Sequence, residues 1–233
     1  MTTAATTPRI TSASRTWAAD TPDVLFIDRL SHGDRTEPRR ADRLGRVFLR
    51  ENEIGGKVAP HLEPGMTVLD LGSGTGRIAR WLVDRVGIRP TLADVADFGN
   101  RVGGAPYVHL EDPLRLPFPD RSFDAVLMLF VLHHIEVWED QERSVLEAAR
   151  VTGRRLVIIE DTPTSALERR LNVAWDWVLN LRHGVPKPFT FRTVEGWQSV
   201  FRRSGFTTRH AETYRARWPT LMTYHHTLFV LER

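Results

Sequence analysis

Val68-Leu-Asp-Leu-Gly-Ser-Gly-Thr-Gly-Arg77 is the stretch that decides the fold of this chain. A short apolar run takes in an acidic residue, Asp70, and then breaks into Gly72-Ser73-Gly74-Thr75-Gly76. Ile78-Ala-Arg-Trp-Leu-Val-Asp-Arg-Val86 follows, with apolar residues at helical spacing. The order is strand, tight loop, helix. The glycines let a ligand approach the backbone, and the helix start offers free N–H groups. A dinucleotide site on the same plan carries G-x-G-x-x-G. Here the spacing is G-x-G-x-G, with a carboxylate two residues before the first glycine. That carboxylate opposes a pyrophosphate and suits a cationic group, such as an amino acid ammonium.

The segment resembles motif I of the class I S-adenosylmethionine (SAM)-dependent methyltransferases, and the likeness continues downstream. Asp94 closes the short strand Pro90-Thr-Leu-Ala-Asp94, eighteen residues after Gly76. A strand-end acid at that distance can accept hydrogen bonds from two ribose hydroxyls. Glu111-Asp-Pro-Leu-Arg-Leu-Pro-Phe-Pro-Asp-Arg-Ser-Phe-Asp-Ala-Val126 resembles the family's acidic loop, its L-P-F turn and its F-D-x-V entry to the fourth strand. The resemblance covers about residues 45–160. It implies a Rossmann-like α/β fold: a seven-stranded, mostly parallel sheet with helices on both faces and an antiparallel last strand. It also implies SAM as cofactor, S-adenosylhomocysteine as its product, and contacts from Asp70, Gly72, Ser73, Gly74, Thr75, Gly76, Asp94, Val95, Asp112, Pro113 and Leu129. Asp112 falls where the family acid faces the adenine amino group.

Composition narrows the field. The 233 residues suit one domain with an appended cap, and 41% hydrophobic content supplies a core. The pI is 9.8 although the net charge is only +3. Nearly all basic residues are arginine, and Lys57 and Lys187 are the only lysines. The arginines are scattered, which reads as a solvated surface and not as a nucleic-acid footprint. There is no cysteine, hence no disulfide, cysteine ligand or thiol nucleophile. The longest apolar strand, Ala125 to Leu132, has eight residues, too few for a membrane span. The N-terminus has no apolar signal core. The expectation is a cytoplasmic protein without nucleic-acid or membrane partners, monomer or homodimer, acting on a small molecule.

Residues 1–40 read as a flexible N-terminal segment or lid, and 41–233 as the methyltransferase domain. Ala41–Val58 reads as a helix with Leu44, Val47, Phe48 and Ile54 on its apolar side, its end weakened by Gly55-Gly56. Strands are expected at about 66–71, 90–94, 106–110, 123–130 and 156–160, with helices at about 75–86 and 138–150. Such near-continuous apolar strands between helices indicate a parallel sheet covered on both faces. Ligands bind at the carboxyl ends of such strands. Ser165-Ala-Leu-Glu168 reads as a capping box opening another helix, with Leu167, Leu171, Trp175, Val178 and Leu181 along one face. That helix and the proline loop after it, about 163–190, are expected to cap the substrate. Helix 193–204 and a hairpin, 206–214 with 222–231, complete the chain.

Methyl transfer from a sulfonium is an in-line displacement in which the protein aligns the partners and, where needed, removes a proton. His133-His134 follows the fourth strand at the crevice and resembles the L-H-H-I/V stretch of small-molecule members, the kind that serve secondary metabolism. Glu160-Asp161 ends the fifth strand. His133, His134 and Glu160 are therefore the candidate catalytic residues. Each also has a structural reading, as a strand-end cap or a helix-start acid. His225 and His226 should point to opposite faces of a strand, in structural roles. His183 is an outside candidate. No metal is expected: metal-assisted catechol methylation needs an Asp-Asn pair that is absent here. Base methylation needs a Pro-Pro turn where this chain reads Leu129-Phe-Val-Leu-His-His134. Two other classes stay open, a SAM-fold protein with a non-methylating catalytic or binding role, and a nicotinamide-dependent reductase.

Overall fold

The computed structural model describes residues 50–96, 104–179, 190–215 and 225–233, with the side chains of 50 and 175–179 outside the description. The segment expected to form a lid, the helix before Arg50, and His183 lie outside the described residues. So does the proline loop of the expected cap. The elements run α1 (Arg50–Val58), β1 (Thr67–Leu71), α2 (Arg77–Val86), β2 (Arg89–Asp94), β3 (Tyr107–His109), β4 (Phe123–Leu129), α3 (Trp138–Val151), β5 (Thr152–Asp161), α4 (Ala166–Leu179), α5 (Val194–Phe201), β6 (Thr207–Arg215) and β7 (His225–Glu232). A 3-10 turn, Leu132–His134, joins β4 to α3.

The strands form one seven-stranded sheet in the order β3-β2-β1-β4-β5-β7-β6. Strands β1 to β5 pair in parallel, while β7 runs antiparallel to both β5 and β6. Successive residues of the central strands alternate between two cores. Leu69, Val126, Met128, Leu156, Ile158, Phe229 and Leu231 meet α3 and α5 on one face. Val68, Ala125, Leu127, Val157, Ile159, Leu228 and Val230 meet α1 and α2 on the other. Parity therefore fixes where the polar residues at the strand ends point. Glu160 shares the α3/α5 side with Ile158, whereas Asp70, Asp161 and His226 share the α1/α2 side.

Two local expectations are corrected, on β5 and α4, whereas α1 ends at Val58 as expected, with Gly55 and Gly56 in its last turn. A Cβ on Gly55 would stand 2.4 Å from the Trp81 ring, so this glycine permits close packing of α1 on α2. Strand β5 starts at Thr152, not Leu156, because Thr152 pairs with Phe123 and Arg155 with both Ala125 and Glu232. The arginines there disguise a strand: Arg155 is held by Glu232 (2.9 Å) and the His61 carbonyl (2.6 Å). On α4 the expected apolar face is inverted. Leu167 is 67% exposed and Leu171 40%, while Glu168 and Asn172 are turned inward.

Candidate functional site

Strand order reverses at β1, which pairs with β2 on one side and β4 on the other. The crevice beyond the carboxyl ends at this point is where open parallel sheets bind ligands. The glycine loop forms its floor. Gly72 and Ser73 donate their N–H groups to the Ala93 carbonyl at 2.8 and 3.1 Å, which ties the loop to the end of β2. Asp94 reinforces the tie. One carboxylate oxygen accepts from the Gly74 N–H (2.8 Å) and the other from the Ala96 N–H (3.0 Å). Asp94 thus holds the loop as well as standing where a ribose acceptor is expected.

Gly72 has φ +74°, and a Cβ there would stand 2.4 Å from a Val131 methyl. That close approach locks the glycine loop against the segment after β4, which carries His133 and His134. Gly74 has φ +53°, and a Cβ there would meet nothing within 4 Å, so the backbone opens onto free space. Beside it the buried Ser73 hydroxyl has no hydrogen-bond partner. Gly76 caps the N-terminus of α2, and Thr75 beside it is half-buried. Asp70 is buried beneath the loop. Burial, and then the neighbouring Asp94 charge, push its carboxyl up to about 7.

The residues expected on the adenine side are more open. Asp112 is exposed and accepts from the Leu114 N–H at 2.8 Å, closing an Asx turn. Pro113 and Leu129 are half-buried, and Val95 is exposed. The Leu110 N–H bonds to the Asp94 carbonyl (2.8 Å), which brings the start of the 111–113 segment against the end of β2.

The three candidate catalytic residues form one unit, in which Glu160 is the centre. Glu160 is fully buried; one oxygen accepts from the N–H groups of Val131 (2.8 Å) and Leu132 (2.6 Å). The other accepts from His133 Nδ1 at 2.7 Å. His133 is buried too, stacked on Phe191 with ring centroids 5.5 Å apart. His134 is half-buried and tilts against His133 at 4.1 Å. Burial therefore separates them: Glu160 and His133 are inside, and His134 is partly accessible.

A second carboxylate–imidazole pair stands across the sheet. Asp161 and His226 are register partners on β5 and β7, with Nδ1 2.6 Å from the carboxylate. The Phe130 ring meets His226 edge-on at 5.1 Å. His225 points the other way, as strand alternation requires, onto Glu168 of α4 at 2.7 Å. Phe130 itself has φ +61°, a conformation a bulky side chain adopts only under constraint. Sequence reasoning places this residue at the crevice but misses its conformation, since nothing in a Leu-Phe-Val run marks a left-handed backbone.

It also missed the clamp behind the histidines. Buried Gln141 donates to the Leu132 carbonyl (3.0 Å) and to the carbonyl and hydroxyl of Thr190 (2.9 and 2.8 Å). Its own carbonyl accepts from Arg192 Nε at 2.8 Å. Among the described residues no group of three His, Asp or Glu has metal-binding geometry, and no helix is long and apolar enough to cross a membrane.

Residues 69–155 match the methyltransferase-domain family. The ubiquinone/menaquinone biosynthesis C-methyltransferase UbiE of Ectopseudomonas mendocina is 35% identical over 120 residues, covering 46% of each chain. The chain thus spans about half the length of the curated relatives it matches. Among solved structures, the [4+2]-cyclase SpnF superposes with TM-score 0.60 at 17% identity, covering 78% of this chain and 80% of that one. Magnesium protoporphyrin IX methyltransferase from Synechocystis PCC 6803, with bound S-adenosylhomocysteine, gives 0.58 at 17%, covering 88% and 92%. At such identities the two structures establish the fold alone. Motif order, sheet topology and the family match agree: residues 69–155 carry a methyltransferase domain, set in the seven-stranded sheet described above.

Proposed function

We propose that this protein transfers a methyl group from SAM to an oxygen or nitrogen atom of a small molecule. The observation that carries the reading is the contact of Gly72 with Val131, which sets a cofactor loop directly against the Glu160–His133–His134 unit. The residues present fit SAM. The Ser73 hydroxyl is buried without a partner, and the Gly74 backbone borders open space. Asp70 is a buried carboxyl whose ionised form an ammonium would stabilise. Asp70, Gly72–Gly76 and Thr75 would hold the amino acid end, Asp94 and Val95 the ribose, and Asp112, Pro113 and Leu129 the adenine. Bound there, SAM supplies an electrophilic methyl group on sulfonium sulfur.

The chain's own residues do the rest. The Gly72–Val131 contact fixes the distance between the two loops, so alignment is built into the backbone. Glu160, fully engaged, holds the β4–α3 turn and the His133 ring, which makes both positioning residues. His134, nearest the opening, takes the proton from an O–H or N–H acceptor. The stack of Phe191 on His133 excludes water from that side.

The test is S-adenosylhomocysteine formation when the protein and SAM meet small-molecule fractions of a cell extract. With an active fraction, His134→Ala should lower single-turnover rates by about 100-fold while leaving S-adenosylhomocysteine affinity unchanged. Wild-type rates in that variant would remove His134 from the mechanism. A second reading, a non-methylating catalyst on the same fold, is favoured by the likeness to a [4+2]-cyclase. Tight SAM binding with no S-adenosylhomocysteine from any fraction would select it.

A further inference from the structure

Asn172 lies on α4 with its side chain fully buried, and neither its carbonyl oxygen nor its amide nitrogen has a hydrogen-bond partner. A carboxamide in that state is exceptional, because native chains pair nearly all buried polar groups. Its direction follows from its neighbours on the helix. Glu168, one turn earlier, points to His225 at the start of β7 (2.7 Å). Arg169 donates to the Phe191 carbonyl at 3.1 Å, and the Phe191 ring stacks on His133. At about 100° per residue, Asn172 projects between these two directions. It therefore faces the carboxyl edge of β5, between the His133 side and the β7 side of the crevice. Leu167 and Leu171 point away.

We propose that Asn172 orients the methyl acceptor, and that this acceptor is a planar molecule with a hydrogen-bond donor and an acceptor side by side on one edge, as in a lactam. The inference rests on the methyltransferase reading above. A carboxamide offers one donor face and one acceptor face in a plane, so its complement is an adjacent pair of opposite polarity. Planarity is indicated by the half-buried rings at the crevice, Phe130 and His134. A site built to bond such an edge rejects an analogue lacking it, because the carboxamide is again left unpaired.

The probe is 2-quinolone, with N-methyl-2-quinolone as the analogue that lacks the donor. Calorimetry is run on the full chain saturated with S-adenosylhomocysteine. Wild type should bind 2-quinolone at least tenfold more tightly than the N-methyl analogue, and Asn172→Leu should abolish the difference. Asn172→Ala, smaller than the native residue, should do the same. Without any ligand, Asn172→Leu should melt about 2–4 °C higher, since an unpaired polar group has been replaced by an apolar one of similar size. No binding of 2-quinolone, equal binding of the two probes to wild type, or discrimination surviving in both variants would overturn the assignment. So would a lower melting temperature in Asn172→Leu, which would reveal a buried water or protein bond served by the amide. If S-adenosylhomocysteine itself does not bind wild type, the methyltransferase reading fails; if it binds and the probes do not discriminate, only this inference fails.

Discussion

Asp70 is a carboxyl that the folded chain holds protonated up to about 7 and the unfolded chain releases near 3.8. Its folded value is raised, so its contribution to stability is fully present below 3.8 and is lost as pH rises towards 7. Above that range the ligand-free fold carries a penalty on the order of 4 kcal/mol. A cationic ligand reverses the preference, because the ionised form is the one an ammonium engages. Affinity for S-adenosylhomocysteine should therefore be level above pH 7 and fall by about tenfold per unit below it. Asp70→Asn should melt higher than wild type at pH 8, bind at least tenfold more weakly, and lose this pH dependence. Calorimetry and thermal melts at pH 6 and 8 check all three. The neighbouring glycines separate in the same way. Gly72→Ala meets both a left-handed backbone (about 1–2 kcal/mol) and Val131 (about 1–3 kcal/mol), so it should destabilise the fold. Gly74→Val meets only the first of these and should fold yet fail to bind. Denaturant midpoints paired with affinities would expose the opposite pattern.

Among the elements, those set by local sequence are legible in it. Strands β1, β2 and β4 are apolar runs with clear ends, and their expected limits lie within about one residue of those found. The helix after His134 was legible from its periodicity. What depended on distant partners was not. Leu167 and Leu171 look like a core stripe on α4, yet the side of the helix facing the sheet is set by Glu168, which His225 and Thr164 hold inward. The capping box is half formed for the same reason. Ser165 accepts from the Glu168 N–H (3.1 Å), but the Glu168 carboxylate is taken by Thr164 and His225. Glu160 and His133 both stand out in the sequence, but their pairing spans 27 positions and no spacing rule encodes it. The Gln141–Arg192 clamp spans 51. Its weight is testable. Gln141→Leu would leave the buried Arg192 Nε and the Thr190 carbonyl without their partner, while the Arg192 Nη2 keeps the Trp138 carbonyl and Glu142. A loss of about 3–4 kcal/mol is expected, roughly 6–16 °C in melting temperature. Adding Arg192→Met should recover part of it, because removing both polar partners costs less than orphaning one. Additive losses in the double variant would show that the two residues act separately.

The whole molecule discriminates between the two cofactors its topology could serve. A parallel sheet with a glycine loop at the switch point binds nicotinamide dinucleotides as readily as SAM, so the fold alone leaves a reductase open. The charges at the loop decide against it. Asp70 lies buried beneath the glycines, and Asp94 bonds the Gly74 N–H and raises the Asp70 carboxyl further. A pyrophosphate would bring negative charge to this pair and take an N–H that Asp94 already occupies. An ammonium would relieve the same repulsion. Binding to the folded state alone raises stability by about 2.7 kcal/mol at a ligand concentration 100 times Kd. For a chain of this size that corresponds to a rise of roughly 5–11 °C. S-adenosylhomocysteine should produce that rise at pH 8, while NADPH at equal concentration should leave the melting temperature unchanged. Asp94→Ala should remove most of the response by freeing the loop and deleting the proposed ribose acceptor together. Asp112→Ala, an exposed Asx turn, should trim it only slightly. A rise with NADPH that survives Asp70→Asn would mean that the loop accepts phosphate despite both carboxylates, and the cofactor assignment would then have to be withdrawn.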